Sequence, residues 1–390
     1  MKTFKCTCKE NLTVFFESNQ CLACGRTLGI DETFQQVEPY EFNKETGMYF
    51  KPAQPDILYQ KCDNNALYGV CNGMVKATNN AKAQENGQTL CFACCFNETV
   101  PDLTIDKHIP LWLKMETAKR RALYTLKALN VPLDNLKQNP DTGLSFDFIT
   151  DRNVNDHFTT KLDGQNDVFT GHNCGHITIN LAEADDVARS QTKYAMGERY
   201  RTLLGHFRHE LGHYYFDQLI ATSCEKHALC KQYFGDDDLD YQHALDVHYT
   251  NGAPANWHEN FISEYATMHP YEDWAETWAH YMHIIDTLET AKNFSITGSI
   301  DKEDSDLGEV DELRLPQNAH YFYGQTSITS ILNSWMEFSV ILNSLNRSMG
   351  LADAYPFVLT QSVRTKLAFI HYAIHDRLDL LPEKDDDPAI

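Results

Sequence analysis

The sequence predicts an α+β protein in which a cysteine-rich N-terminal part precedes a mainly helical remainder. Nine of the twelve cysteines lie in the first 95 residues, among turn residues and short apolar runs. Further along, apolar residues spaced three and four apart predict amphipathic helices over residues 201–219, 271–283 and much of 327–375. We therefore expect two domains, residues 1–100 and residues 101–390, and the second includes a helical C-terminal layer.

The N-terminal cysteines form two sets of four, with Cys95 left over. Two short pairs separated by a loop can bring four thiolates to one tetrahedral zinc ion, the arrangement of a zinc ribbon. An iron site of the rubredoxin type would need tighter pairs on both sides, and disulfides remain the other alternative. The first predicted zinc set is Cys6, Cys8, Cys21 and Cys24, and the second is Cys62, Cys71, Cys91 and Cys94.

Composition limits the partners that we expect. The formal net charge is −22, and the first sixty residues carry six Lys and Arg against eight Asp and Glu. This balance argues against nucleic acid or an anionic membrane, so we expect the ribbons to bind a protein or to be purely structural. Residues 1–5 lead into the first cysteine pair without an apolar segment, which favours a reducing, cytoplasmic location over disulfides.

The middle of the chain predicts one helix and two strands after a connector at residues 101–109. Residues 111–129 have helical periodicity, and we expect their charged face, formed by Glu116, Lys119, Arg120 and Arg121, to be solvated. Residues 144–149 and 175–180 alternate between apolar and polar side chains, as strands do.

The most informative motif is H-E-x-x-H, formed by His209, Glu210 and His213. On a helix, residues four apart share one face, so both histidines can reach one metal ion. Glu210 is close enough to meet a water molecule at that metal without being a ligand. Because the flanking residues 201–219 have helical periodicity, a metal site is favoured over two histidines that pack or cap.

A third ligand is expected from the predicted helix 271–283, where Glu272 and Glu276 lie one turn apart. E-x-x-A-E after H-E-x-x-H resembles the gluzincin metallopeptidases, especially the branch of anthrax lethal factor and the Pro-Pro endopeptidases. That resemblance implies that Glu272 is the third zinc ligand, that Glu276 supports the site, and that Tyr265 stabilises the tetrahedral intermediate. Glu276 as the ligand, with Glu272 in a surface salt bridge, stays open, and Tyr265 can equally be a core residue. Candidates without a matched motif are Asp273, His269, His280 and His283.

A wider resemblance covers residues 6–371. The stretches TLLGHFRHELGHYYFDQL, SEYATMHPYEDWAETWAHYMHIIDTLETA and LNRSMGLADAYPFVL are similar to a bacterial family of zinc-ribbon-containing, zinc-binding metallopeptidases. The resemblance implies a zincin-like fold of gluzincin type after the ribbons, but no particular substrate. By analogy with zincins, residues 175–180 are the candidate edge strand along the cleft, where an extended substrate could pair with it.

The expected activity is hydrolysis of peptide bonds in a protein or peptide substrate by a zinc-dependent endopeptidase. One catalytic and two structural zinc ions are expected. Zinc activates water and polarises the carbonyl, Glu210 moves the proton, and Tyr265 donates a hydrogen bond to the oxyanion. Two alternatives remain, a zinc hydrolase of another amide or ester, and a non-catalytic adaptor whose ribbons bind a protein.

Overall fold

The computed structural model describes residues 2–77, 87–150, 170–189, 202–296, 323–324 and 327–381. Its strands are β1 (Phe4–Lys5), β2 (Thr13–Val14), β3 (Thr27–Ile30), β4 (Val37–Asn43), β5 (Met48–Lys51), β6 (Gln54–Lys61), β7 (Met74–Lys76), β8 (Asn97–Thr99), β9 (Ser145–Ile149), β10 (Gly171–Asn173) and β11 (His176–Asn180). Its α-helices are α1 (Asp63–Tyr68), α2 (His108–Leu129), α3 (Leu203–Phe216), α4 (Cys224–Phe234), α5 (Tyr241–Asn251), α6 (Pro270–Asn293), α7 (Ile328–Ser348) and α8 (Gln361–Ile374). The chain divides into two units, Lys2–Glu210 and Leu211–Ile390, and the division falls inside α3.

The cysteine-rich part is built from short antiparallel strands. β1 pairs with β2, and β3 to β7 form a five-stranded sheet in chain order. Tyr40, Tyr59 and Met74 form a small core against this sheet. Lys51 lies over both tyrosine rings and donates to Asp31 at 2.5 Å, so its buried charge is paired. These strands confirm the expected ribbon-like, cysteine-rich beginning of the chain.

Helix α2 corrects the expectation of a solvated charged face. Glu116 and Lys119 are fully buried, and Arg120 is nearly so. Lys119 Nζ lies 2.8 Å from Glu116 Oε2, and Glu116 Oε1 accepts from Asn97 Nδ2 at 2.7 Å. Arg120 donates to Asn72. Burial of these charges is possible because Glu116 and Lys119 pair with each other, and because Asn97 and Asn72, outside the helix, complete their contacts. Arg121, by contrast, stays 43% exposed in its ion pair with Glu17, as expected for a solvated charge.

A second sheet in the Lys2–Glu210 unit has the strand order β10-β11-β9-β8. β11 pairs parallel with β9 and antiparallel with β10. The two strands predicted from alternation are therefore confirmed, but residues 175–180 are not an edge. β11 is flanked on both sides, because the chain folds back at Cys174 and Gly175, both with positive φ, and adds β10 as the outer strand.

In its described residues the Leu211–Ile390 unit consists of helices joined by loops and contains no strand. Helix α6 begins with Pro270 in its first turn and with His269 as N-cap, whose Nδ1 accepts from Tyr271 N. Its buried face carries Trp274 and Trp278, which are stacked with ring centroids 6.2 Å apart, as expected for core packing. This unit gives the mainly helical second part that the sequence predicts.

None of the helices in the described part of the chain is long and apolar enough to cross a membrane.

Candidate metal centre

Helix α3 carries the H-E-x-x-H motif with its polar side chains turned inward. His209, Glu210 and His213 are all buried, with exposures of 8%, 4% and 5%. Buried polar groups of this kind need partners, since each would otherwise lose its hydration without replacement. The motif is therefore a protected polar site, and not a surface feature of the helix.

At Gly212, inside the motif, the backbone of α3 lies close against α6. A Cβ atom at this position would lie 2.8 Å from Ala275 Cα and 3.1 Å from its carbonyl oxygen. In addition, Trp274 Nε1 donates to Gly212 O at 2.8 Å. A side chain at Gly212 would push α6 away, so glycine sets the distance at which α6 presents its carboxylates to the motif.

Three ligand atoms converge at this place, one each from His209, His213 and Glu272, and all lie within 4.8 Å of one another. His213 Nε2 is 3.4 Å from Glu272 Oε1. A tetrahedral zinc ion with N and O ligands at about 2.0–2.1 Å separates its ligand atoms by about 3.4 Å. Two imidazoles and one carboxylate are also the donor set of several catalytic zinc sites. The residues therefore fit a zinc ion.

The side chain of Glu272 is held by a residue that the sequence reasoning missed. Tyr241, the first residue of α5, donates its hydroxyl to Glu272 Oε1 at 2.8 Å. The Tyr241 ring packs 5.3 Å from His269, whose own Nε2 lies 3.1 Å from Leu239 O. No motif could have identified Tyr241, because it lies 31 residues before Glu272 in the sequence.

Glu276 and Tyr265 lie near this arrangement in sequence but belong to other contacts. Glu276 Oε2 accepts from Ser263 Oγ at 2.6 Å, and the same Ser263 oxygen accepts from Ala266 N. Tyr265 is half-buried, with its ring 6.1 Å from that of His248. The metal-compatible group contains Glu272 and does not include Glu276.

Asp273, beside Glu272 in the sequence, takes part in a buried ion pair that helps to fix the rotation of α6. Lys366 of α8 donates to Asp273 Oδ2 at 2.6 Å and to Asn260 O at 2.7 Å. Burial raises the pKa of Asp273 to about 7, and the Lys366 charge opposes that shift. His280, another candidate named from sequence, lies with its Nδ1 2.9 Å from the Tyr355 hydroxyl.

The first cysteine set comes together from β1, the turn after it and the knuckle of residues 21–24. Cys6 Sγ lies 3.7 Å from Cys24 Sγ, and Cys8 Sγ lies 4.0 Å from Cys21 Sγ. Four sulfurs at about 2.3 Å from a tetrahedral zinc ion stand about 3.8 Å apart, so the set fits zinc. The backbone N–H of Cys24 lowers the pKa of Cys21 to about 7, while burial raises that of Cys6 to about 12.

The second set, Cys62, Cys71, Cys91 and Cys94, is buried at all four positions. Gly73 makes room for it. A Cβ atom on Gly73 would lie 2.4 Å from Cys91 Sγ and 2.3 Å from Cys91 Cβ. Cys62 N donates to Gly73 O at 3.0 Å, which ties this glycine to the set. Cys95, the spare cysteine, stays outside, and its Sγ lies 3.8 Å from Leu90 O. All twelve cysteines are free thiols, so the structure holds no disulfide.

Comparison with known proteins gives two family matches. Residues 108–373 match the family described as "Putative zinc-binding metallo-peptidase", and residues 3–105 match a zinc-ribbon domain. The chain is also similar to an uncharacterized protein of Mycobacterium bovis and to two of Mycobacterium tuberculosis strains, each 37% identical over 380 residues, or 96% of both chains. No solved structure matches it.

Proposed function

The chain belongs to the zinc-binding metallo-peptidase family, and from that premise we propose that it is a zinc-dependent endopeptidase. The observation that carries the proposal is the buried convergence of His209, His213 and Glu272, whose ligand atoms lie within 4.8 Å of one another. Three protein ligands leave room for a reacting group, whereas structural zinc sites use four. His209, His213 and Glu272 would hold the catalytic zinc.

Zinc at these ligands supplies Lewis acidity, which polarises the scissile carbonyl and lowers the pKa of water. Glu210 is the general base in this proposal. It follows His209 directly on α3. Its side chain is buried, so bulk solvent does not hydrate the carboxylate. It accepts the proton from the attacking water and then delivers it to the leaving amine.

Two tyrosines are assigned different parts. The resemblance to gluzincins assigns Tyr265 as the donor of a hydrogen bond to the oxyanion of the tetrahedral intermediate. It assigns Glu276 as a group that supports the site without ligating zinc. Tyr241 orients Glu272 through the 2.8 Å hydrogen bond. Replacing Tyr265 with Phe should lower kcat by about 10²–10³ with no loss of zinc, the usual cost of removing an oxyanion donor. If kcat of this variant equals that of the wild type, Tyr265 only packs in the core.

The two cysteine sets complete the proposal as structural zinc sites, giving three zinc ions per chain. Their eight thiolates would need a reducing compartment such as the cytoplasm. The substrate is a protein or peptide, and the ribbons are a docking surface for a protein partner. With a formal net charge of −22, neither nucleic acid nor an anionic membrane is a favoured partner.

The test is digestion of a peptide library by the full-length, zinc-loaded chain, read by mass spectrometry. The matched control is Glu210→Gln, which keeps the size of the side chain but removes its basicity. We expect cleavage by the wild type and only a small residual rate for the variant, with equal zinc content in both.

Three other outcomes of this digestion would contradict the proposal. Cleavage by Glu210→Gln at the wild-type rate would contradict the assignment of Glu210 as base. Hydrolysis of ester or non-peptide amide probes without peptide cleavage would identify a zinc hydrolase of another class. No hydrolysis of any probe would favour an adaptor.

A further inference from the structure

His206 lies between two carboxylates, one of which is the proposed base. Its Nε2 is 3.3 Å from Glu210 Oε1, and its Nδ1 is 3.3 Å from Glu183 Oε2. The side chains of His206, Glu183 and Glu210 are only 12%, 11% and 6% exposed. The H-E-x-x-H motif requires neither His206 nor Glu183. Their place beside Glu210 therefore needs its own explanation.

The helix accounts for one of the two contacts. His206 precedes Glu210 by four residues on α3, and residues four apart on a helix lie over each other on one face. His206 and Glu210 therefore meet wherever this helix forms, without help from the rest of the fold.

The second contact depends on a separate element that is anchored at several points. Glu183 lies in the short 3-10 helix Leu181–Ala184, which follows β11. Asn180 caps this turn by accepting from Ala182 N at 3.0 Å. Arg189 donates to Glu183 O at 2.8 Å, and Lys114 donates to Ala184 O at 3.1 Å. The backbone that carries Glu183 is thus held firmly enough to orient a partner.

We propose that His206, oriented by Glu183, is a positioning residue for Glu210. The proposal rests on the proposed function, because it assumes that Glu210 is the base. A glutamate side chain has three rotatable bonds, and a base is effective only when its carboxylate stays within reach of the proton it accepts. The imidazole lies 3.3 Å from Glu210 Oε1 and so restricts the rotation of the carboxylate. The Glu183 carboxylate, 3.3 Å from Nδ1, attracts the ring of His206 electrostatically from its other side.

A purely structural pairing makes a different prediction. If the three residues only join the Leu181–Ala184 turn to α3, their loss should lower the free energy of unfolding while each folded molecule keeps its full activity. If His206 positions Glu210, its loss should lower kcat, and this loss should vanish when Glu210 is already gone. The two accounts are therefore separated by kinetics in two backgrounds.

The experiment uses the full-length chain and one peptide cleaved in the library digest. We expect His206→Ala to keep wild-type zinc content and KM but to lose about 10–100-fold in kcat, the usual effect of removing such a supporting group. His206→Gln should recover part of that loss, since its amide can still donate toward Glu210. Glu183→Gln should lower kcat less and should add nothing to His206→Ala.

Controls separate this positioning from general damage. His227→Gln breaks another histidine–carboxylate pair, in which His227 Nε2 lies 2.8 Å from Asp237, and it should leave kcat unchanged. In the Glu210→Gln background, His206→Ala should cause no further loss of residual activity. Equal kcat for His206→Ala and the wild type, or a further loss in the Glu210→Gln background, would overturn the proposal.

A second readout does not depend on any substrate. The shifts in urea midpoint for His206→Ala, Glu183→Gln and Glu210→Gln are compared with those of the double variants. Coupling of both pairs through His206 predicts that the shifts are not additive, and additive shifts would overturn the proposal. If the wild type cleaves no peptide, the proposed function fails, whereas this cycle still decides whether His206 is coupled to Glu210 and Glu183.

Discussion

The cysteine sets and the His–His–Glu group differ in what surrounds the ligands. Each cysteine set has four ligands of one kind, which close the coordination of a zinc ion. The other group has three ligands and is accompanied by polar side chains that do not ligate. Glu210 is buried in the same helix, and Tyr241 donates to Glu272.

This difference separates two uses of one metal. A closed site needs only its ligands and space for them, as Gly73 provides beside Cys91. Additional buried polar groups cost free energy on folding unless they are paired, and they add nothing to a closed site. Such groups around His209, His213 and Glu272 are what the proposed endopeptidase activity requires.

The largest expected effect comes from removing a ligand in each region. Cys71→Ser should release zinc and lower the free energy of unfolding by several kcal/mol, because binding of structural zinc contributes directly to folding. His213→Ala should also lose zinc and all activity, but with a smaller loss of stability. Zinc release and urea unfolding, measured on both variants, check this, and equal destabilisation would contradict the comparison.

Gly73→Ala tests whether the second cysteine set depends on space. The new Cβ would meet Cys91 Cβ at 2.3 Å, so we expect loss of one zinc equivalent and about 2–3 kcal/mol of stability, as for other overpacked sites. Gly69→Ala is the matched control, since no atom lies within 4 Å of its Cβ. The positive φ of +67° there should cost only about 1 kcal/mol. Similar zinc content in both variants would contradict this reason for Gly73.

His280 predicts how acid acts on the helical unit. Burial lowers its pKa to about 4 from 6.5, so the folded chain holds it neutral, with Nδ1 2.9 Å from the Tyr355 hydroxyl. Its contribution to stability is complete above pH 6.5 and is lost as the pH falls to about 4. The loss is on the order of 3 kcal/mol.

Urea unfolding at pH 7 and pH 4 checks this prediction. His280→Gln keeps an acceptor for Tyr355 but cannot be protonated, so its stability should fall less between the two pH values than that of the wild type. Equal pH dependence of the two proteins would mean that His280 does not contribute to acid sensitivity.

The smallest effect is expected from Tyr241→Phe, which removes one hydrogen bond to Glu272. Zinc affinity of the His–His–Glu group should fall about tenfold, the lower end for loss of a group that orients a ligand. Tyr249→Phe, on the same helix α5 and more exposed, is the control. Competition with a chromophoric chelator measures the zinc affinities of both variants. Equal affinities would mean that Tyr241 does not orient Glu272.

Local patterns made much of the site predictable. Short cysteine pairs and H-E-x-x-H place their ligands within a few residues, so their spacing alone identifies sets that the fold does bring together. Glu272 needed the resemblance to gluzincins, since the pattern of residues 271–283 left Glu272 and Glu276 equivalent. In the structure Glu272 is buried and lies 3.4 Å from His213, whereas Glu276 is only partly buried and accepts from Ser263.

Contacts between distant residues could not be predicted. The charges of α2 were expected in solvent because a helical pattern does not reveal partners such as Asn97, 22 residues from Lys119. For the same reason Tyr241 and Glu183 were missed, as each reaches the site from another element. The analogy with zincins predicted β11 as an edge strand, and that was wrong, because the alternation of a strand shows its two faces but not its neighbours.

The most direct test of the central claim is the zinc content per chain, by elemental analysis, of the wild type and of the double variant His209→Ala/His213→Ala. Our account predicts three equivalents in the wild type and two in the variant, one for each of the three groups whose ligand atoms converge. Two equivalents or fewer in the wild type, unchanged in the variant, would contradict it, because the H-E-x-x-H group would then hold no metal.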